Sequence, residues 1–146
     1  MTENEALNRM AAYCSGAEHC RVEVREKLLR QELDENAIER ILNRLEKETF
    51  VDNERYARSF INDKIRFDKW GKLKIKQALY FKQIPQEIVS GELEKIDEEE
   101  YLSLLRDILE RKKKTIRAKD AYEQKGELMR FALGKGFEME DIEKCM

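Results

Sequence analysis

The chain has 146 residues, of which 41% are charged and 41% are hydrophobic, and its formal net charge is -2. This length suits one compact domain or several very small units that share a continuous core. The sequence has no run of about 18 apolar residues that could cross a membrane, and its start lacks the basic and apolar stretches of a secretion signal. We therefore expect a cytoplasmic protein with no membrane partner, and a reducing compartment would keep its three cysteines as free thiols.

Near the start of the chain, Cys14, His19 and Cys20 form a cluster of residue types that can bind metal ions. A closed zinc site needs four ligands, and no second CxxC or HxxxH pair follows, so we interpret the cluster as structural. His19 is the only histidine, and no matching nucleophile and orienting acid can be identified around it. The sequence thus predicts no metal, no cofactor and no enzymatic site.

One pattern of apolar residues occurs three times along the chain. Within each copy, a first step of four residues is typical of one helix face, and the following step of five indicates a tight corner before the next helix. The middle copy needs one deletion to match the others. The matching positions are Val24, Leu28, Leu33 and Ile38, then Ile75, Leu79, Ile84 and Ile88, and finally Leu128, Ala132, Phe137 and Ile142.

The turn residues agree with these corners. Asp34 can cap the helix after Leu33, and Pro85 suits the first turn of the helix after Ile84. Gly134 and Gly136 flank the third corner, where glycine permits the backbone to reverse.

A further helix precedes each pair, near Ala6 to Cys14, Asn53 to Phe67 and Glu98 to Thr115. Apolar stripes along the second and third of these helices are predicted to lie in the core. They consist of Tyr56, Phe60, Ile61, Ile65 and Phe67, and of Tyr101, Leu102, Leu104, Leu105, Ile108 and Leu109. The predicted fold is all-α, with three tandem three-helix repeats, residues 1-50, 51-96 and 97-146, forming an elongated, curved helical array.

Charge is distributed in blocks that follow these units. Residues 55-82 carry nine basic and two acidic side chains, whereas residues 83-110 carry two basic and nine acidic ones, and the stretch from Arg111 to Lys119 is basic again. Such blocks are typical either of helices that neutralise one another and face solvent, or of a surface that binds phosphate or acidic protein. Both interpretations remain open from the sequence.

The segment "DKWGKLKIKQ" favours a binding surface, because its lysines surround the only tryptophan at the junction of two predicted helices. Trp70 could be an anchor for a partner or a wedge between the helices. The candidate partner-binding or DNA-binding residues are Arg55, Arg58, Lys64, Arg66, Lys69, Trp70, Lys72, Lys74, Lys76, Lys82, Arg111, Lys112, Lys113 and Lys114.

The segments "FVDNERYARSFINDK" and "WGKLKIKQAL", with the flanking repeats, resemble the RecX family of bacterial recombination regulators. The likeness extends from about Ala6 to Ile142. It is most specific in the central unit, at Phe50, Asp52, Arg55, Tyr56, Ala57, Gly71, Ile75 and Leu79.

The resemblance implies a monomeric, non-enzymatic protein of three three-helix repeats. It also implies a partner, the RecA nucleoprotein filament, whose ATP hydrolysis and strand exchange the protein would modulate, usually by inhibition, with weak binding to single- or double-stranded DNA. The residues themselves leave two alternatives, a stand-alone helical DNA-binding module and a structural adaptor.

Overall fold

The computed structural model describes all 146 residues and contains nine α-helices and no β-strand. The helices are α1 (Glu3–Gly16), α2 (Arg21–Leu29), α3 (Glu35–Lys47), α4 (Asn53–Arg66), α5 (Lys72–Phe81), α6 (Gln86–Glu94), α7 (Glu98–Lys113), α8 (Ala121–Gly134) and α9 (Met139–Lys144). They form three successive three-helix units, which confirms the predicted all-α tandem architecture. None of the helices combines the length and the apolar composition that a membrane span requires.

Aspartate side chains begin four of the helices. The carboxylate of Asp34 accepts a hydrogen bond of 2.7 Å from the backbone N–H of Ala37, as the sequence predicted. Asp52, Asp97 and Asp120 cap α4, α7 and α8 in the same way. Each bond satisfies a backbone donor that has no partner inside the helix.

Pro85 occupies the N-cap position of α6 and not its first turn, so the sequence prediction was off by one residue. The fixed φ of proline, here -56°, still suits this position, because the residue before the helix needs no backbone N–H.

Each unit has its own hydrophobic core, and the predicted repeat positions lie in it. Leu28, Leu79 and Ala132 occupy equivalent places and are all 0% exposed. In the middle unit the buried fourth position is Val89, whereas Ile88 is only half-buried. The deletion predicted there is therefore wrong, because the step from Ile84 to Val89 is five residues, as it is in the other two units.

The predicted stripe of α4 is correct except at its end, where Phe67 is 72% exposed. Successive residues of a helix are separated by about 100°, so Phe67 is directed about 200° away from Ile65. Tyr56 and Ile61 are buried, and Phe60 and Ile65 are half-buried against the second core. On α7 the whole stripe is buried, apart from the half-buried Leu104.

The second and third units join where α5 begins. The backbone N–H groups of Gly71 and Leu73 donate to the carbonyl oxygens of Lys135 and Gly136, at 2.8 and 2.9 Å. Alone among the nine helices, α5 has no acidic residue in its first turn. The carbonyl oxygens of the corner in the third unit instead place partial negative charge at the N-terminus of α5, where it complements the helix dipole.

The first and second units join through side chains. Cys20, the N-cap residue of α2, is 0% exposed and packs in the core of the second unit. No hydrogen bond or ion pair connects the first unit to the third, so the polar contacts between units join only neighbours in the chain.

Candidate partner interface

Four of the nine basic side chains in residues 55-82 form ion pairs. Two of these pairs join the first and second units: Arg55 Nε lies 2.5 Å from Glu18 Oε1, and Lys82 Nζ lies 3.4 Å from Glu23 Oε2. Arg55 also donates to the backbone carbonyl of Thr49. These contacts hold the units together and account for the positions of both cations.

Arg58 belongs to the fold of the second unit. Its guanidinium donates two hydrogen bonds, of 3.0 and 3.2 Å, to the carboxylate of Glu92 on α6. The Glu92 side chain is only 5% exposed and also contacts Lys95 at 3.0 Å. The hydrogen bonds from Arg58 lower the pKa of Glu92 against the effect of burial, and Lys95 lowers it further.

Trp70 lies between two lysine side chains. The Nζ atoms of Lys64 and Lys74 are each 4.7 Å from the centre of its ring. The ring is half-buried and meets the edge of Phe60, with 6.4 Å between ring centres. Trp70 thus packs against the second core on one side and forms part of a basic surface on the other. Lys64 is held further by an ion pair of 2.9 Å with Asp68.

Lys72 sits at the junction with the third unit. Its backbone N–H donates to the hydroxyl of Tyr101 at 3.0 Å, and its ammonium lies 4.6 Å from the centre of the same ring. Burial raises the pKa of Tyr101 further above its ordinary value of 10.

The remaining cations of the central unit have no carboxylate partner. Arg66 and Lys76 are exposed and form no ion pair, while the ammonium of Lys69 donates to the backbone carbonyl of Arg66 at 2.6 Å. Together with Lys72 and Lys74, they form a continuous stretch that we call the unpaired basic segment, Arg66 to Lys76. It surrounds the exposed edge of Trp70 and is the part of the central unit that is free to meet negative charge.

The second basic block lies at the end of α7. Arg111 pairs with Asp107 at 3.1 Å, and the ammonium of Lys112 lies 4.8 Å from the centre of the Phe131 ring. Lys113 and Lys114 are exposed and form no ion pair. Cations at the C-terminal end of a helix complement its dipole, which accounts for part of this charge.

The residues of the Cys14, His19 and Cys20 cluster are held by packing. The ring of His19 stacks on Tyr13 with 3.7 Å between ring centres, and its Nδ1 atom is 3.5 Å from Glu23. Burial raises the pKa of both thiols, which keeps them protonated and poorly nucleophilic. No group of three or more side chains in the structure could hold a metal ion.

The sequence analysis did not single out Tyr80 and Phe81, which are 75% and 68% exposed at the end of α5. The sequence did contain a signal for their exposure. Both residues directly follow the repeat position Leu79, and helix geometry directs them away from the core when Leu79 points into it.

Profiles of three RecX domains match the chain in order. The first three-helix domain of RecX matches residues 6–45, the second 52–91 and the third 98–146. Together they cover most of the sequence.

Curated relatives agree with these matches. The regulatory protein RecX of Clostridium beijerinckii is 37% identical over 120 residues, which are 81% of this chain and 55% of that protein. RecX of Clostridium acetobutylicum is 36% identical over 124 residues, 82% of this chain and 57% of that protein. The chain therefore spans little more than half the length of these relatives.

Solved structures show the same fold. A crystal structure of a regulatory protein RecX superposes with a TM-score of 0.89 at 22% identity, covering 98% of this chain and 72% of the other. RecX from Lactobacillus salivarius gives 0.87 at 21% identity, covering 98% and 93%. With three domain profiles in the expected order and relatives above 30% identity, the chain belongs to the RecX family of regulatory proteins.

Proposed function

We propose that this protein is a non-enzymatic regulator that binds the RecA recombinase filament on DNA and inhibits its ATP hydrolysis and strand exchange. Family membership supports a regulatory role, and the RecA partner follows from the family resemblance. The observation that carries the proposal is the unpaired basic segment, Arg66 to Lys76, in a chain whose net charge is -2.

The charge pattern supports a partner that contains both DNA and protein. A protein filament on DNA presents phosphate groups and acidic side chains together, and both attract the unpaired basic segment. The acidic stretch 83-110 next to it disfavours nonspecific attachment to any polyanion, because like charges repel. Electrostatics of this kind contributes to specificity and association rate.

We further propose that the three units, residues 1-50, 51-96 and 97-146, contact the filament as linked modules. Lys113 and Lys114 give the third unit its own unpaired cations. Contacts on linked units reinforce one another through effective concentration, so several modest contacts produce firm binding.

Co-sedimentation with RecA assembled on single-stranded DNA in the presence of nucleotide tests the proposal. We expect the protein to sediment with the filament more strongly than with the naked strand at equal salt, and to slow ATP hydrolysis at near-stoichiometric amounts. Raising salt from about 50 to 200 mM should weaken binding, since counterions compete for the same charges.

The unpaired cations also suit the alternative, a stand-alone DNA-binding module. Equal affinity for filament and naked strand, with a steep salt dependence for both, would favour that alternative. Filament binding that survives replacement of every lysine in the unpaired basic segment would instead favour a structural adaptor.

A further inference from the structure

A second surface feature of the central unit is an open groove of about 930 Å³ between α5 and α6. Ile84 and Val89 line its base, and the exposed rings of Tyr80 and Phe81 border it. The polar part of its lining consists of Lys76, Gln77, Gln83, Gln86 and Ser90. The groove thus combines apolar surface, neutral hydrogen-bonding groups and a single charged side chain.

The two aromatic side chains have no partner elsewhere in the chain. Tyr80 and Phe81 contact each other edge to face, with 5.7 Å between ring centres, and stay largely exposed. Contiguous exposed apolar patches on a protein surface are a feature of interaction sites.

In the first unit, ion pairs occupy the position between α2 and α3 that corresponds to this groove. Counting from the buried repeat positions, Arg25 corresponds to Lys76, and Glu35 and Glu39 correspond to Gln86 and Ser90. Arg25 pairs with Glu35 and, at 3.2 Å, with Glu39, so an ion-pair bridge crosses from α2 to α3. In the second unit both carboxylates are absent, and Lys76 is left without a partner.

The third unit fills the same place with an apolar side chain. Met129 corresponds to Lys76 and is half-buried, packed against the third core. One helix pair is therefore bridged by charge and another covered by a methionine, while the α5–α6 pair keeps an unmatched cation beside exposed aromatic rings.

We propose that the α5–α6 groove docks a protein segment of the RecA filament that carries a carboxylate beside an apolar side chain. This inference rests on the proposed function. The carboxylate would pair with Lys76, as Glu35 and Glu39 pair with Arg25 in the first unit, and the apolar side chain would cover Tyr80 and Phe81. The neighbouring glutamine amides can donate to and accept from the backbone of the segment.

The composition of the groove favours protein over nucleic acid. Single-stranded DNA sites combine stacking rings with a row of cations that follows the phosphates. Lys76 is the only charged residue among those that line this groove, and the other polar groups are neutral. A segment with one carboxylate and an apolar side chain matches this lining better than a chain of phosphates.

The test compares groove variants with matched controls. The double variant Tyr80→Ala, Phe81→Ala should weaken binding to RecA filaments on single-stranded DNA about tenfold, because buried aromatic anchors dominate interface energies. Lys76→Glu should weaken it about three- to tenfold through repulsion of the carboxylate. Tyr122→Ala and Lys125→Glu change an exposed aromatic and an exposed lysine outside the groove, and should stay within about twofold of the unaltered protein.

The same titrations on naked single-stranded DNA separate the outcomes. Unchanged affinity of the groove variants for the naked strand, with weaker filament binding, supports docking of a protein segment. Filament binding equal to that of the unaltered protein overturns this inference and leaves the proposed function intact. Failure of the unaltered protein to bind the filament overturns the proposed function, and the groove assignment with it.

A proportional loss on the naked strand would identify a base-stacking site and contradict a protein partner. Circular dichroism and thermal melting must show that the variants fold. If the double variant unfolds, the single changes Tyr80→Gln and Phe81→Gln provide the same comparison, because both side chains are largely exposed.

Discussion

The first and second units share one fold but distribute their unpaired basic residues differently. In the first unit four arginines pair with glutamates of the same unit, and the cations without an ion pair are spread along the sequence at Arg9, Lys27, Arg30 and Lys47. In the second, the five cations without an ion pair lie close together in sequence, between Arg66 and Lys76. An exposed ion pair contributes only about 0 to 1 kcal/mol, so folding gains little from the first arrangement and loses little in the second. Stability therefore does not account for the clustering of unpaired cations in the second unit, and the proposed filament contact rests on this clustering.

The largest expected effect tests whether the two units are equivalent in their cores. Leu28→Ala and Leu79→Ala should each lower the free energy of unfolding by about 2 to 5 kcal/mol, because each removes a side chain from a fully enclosed site. Both residues are 0% exposed at matching positions, so the two losses should be similar. Urea unfolding followed by circular dichroism measures them. A loss below about 1 kcal/mol at either site would break the equivalence.

A smaller effect is expected at the junction of the second and third units. A Cβ atom on Gly71 would lie 2.3 Å from the backbone carbon of Gly136, so Gly71→Ala must push the junction apart. We expect a loss of about 1 to 3 kcal/mol. In the first unit the equivalent N-cap residue is Cys20, whose side chain is accommodated in the second core, so the penalty belongs to this junction alone.

Gly91→Ala is the matched control for that change. Gly91 lies inside α6 with nothing within 4 Å of its Cβ position, so alanine should stabilise the helix by about 0.5 to 1 kcal/mol. Thermal unfolding of both variants gives the comparison. A neutral Gly71→Ala would show that the junction is looser than its hydrogen bonds indicate.

The fold was largely predictable because the repeat depends on local rules. The four-residue steps, the aspartate caps and the five-residue corner steps all report helix geometry, which sequence shows directly. The error at Ile88 arose because Ile88 and Val89 are both apolar neighbours. The sequence does not show which of the two faces inward, and only the equal spacing in the structure settles it.

The candidate site was less predictable, since charge alone does not reveal pairing. Arg55 and Lys76 look alike in the sequence. In the structure, Arg55 forms an ion pair with Glu18 of the first unit, whereas Lys76 forms none. Tyr80 and Phe81 were missed for a related reason. The repeat pattern identifies the buried Leu79 but says nothing about its two neighbours, which the helix directs towards solvent.

A third prediction divides the unpaired basic segment itself. Lys72→Gln with Lys74→Gln should cost about 0.5 to 1 kcal/mol at each position, because both ammonium groups lie over aromatic rings. Arg66→Gln with Lys76→Gln should stay within about 0.5 kcal/mol per position, since neither side chain forms an ion pair. Both double variants remove two positive charges, so both should bind the RecA filament more weakly and with a shallower salt dependence.

Urea unfolding and filament titrations at two salt concentrations check this division. Equal stability losses in the two double variants would mean that the rings of Trp70 and Tyr101 do not hold the lysines. Unchanged filament affinity in both would mean that the unpaired basic segment faces solvent and does not contribute to binding.

The smallest expected effect is a change in how the free energy of unfolding depends on pH. It compares two carboxylates of the second unit, Glu92, which forms ion pairs, and Glu87, which forms none. Hydrogen bonds from Arg58 lower the pKa of Glu92 below its ordinary value of 4.5, so the folded state binds a proton there less readily than the unfolded chain. The resulting stability is fully present above the ordinary pKa and is lost as pH falls through the lower pKa of the folded state. Glu92→Gln removes this contribution, so its unfolding free energy should fall less between pH 7 and pH 3 than that of the unaltered protein. Glu87→Gln, which removes an exposed carboxylate from the same helix, controls for the lost charge. If Glu92→Gln and Glu87→Gln followed the same course with pH, the pair with Arg58 would contribute no more to the second unit than an ordinary surface charge.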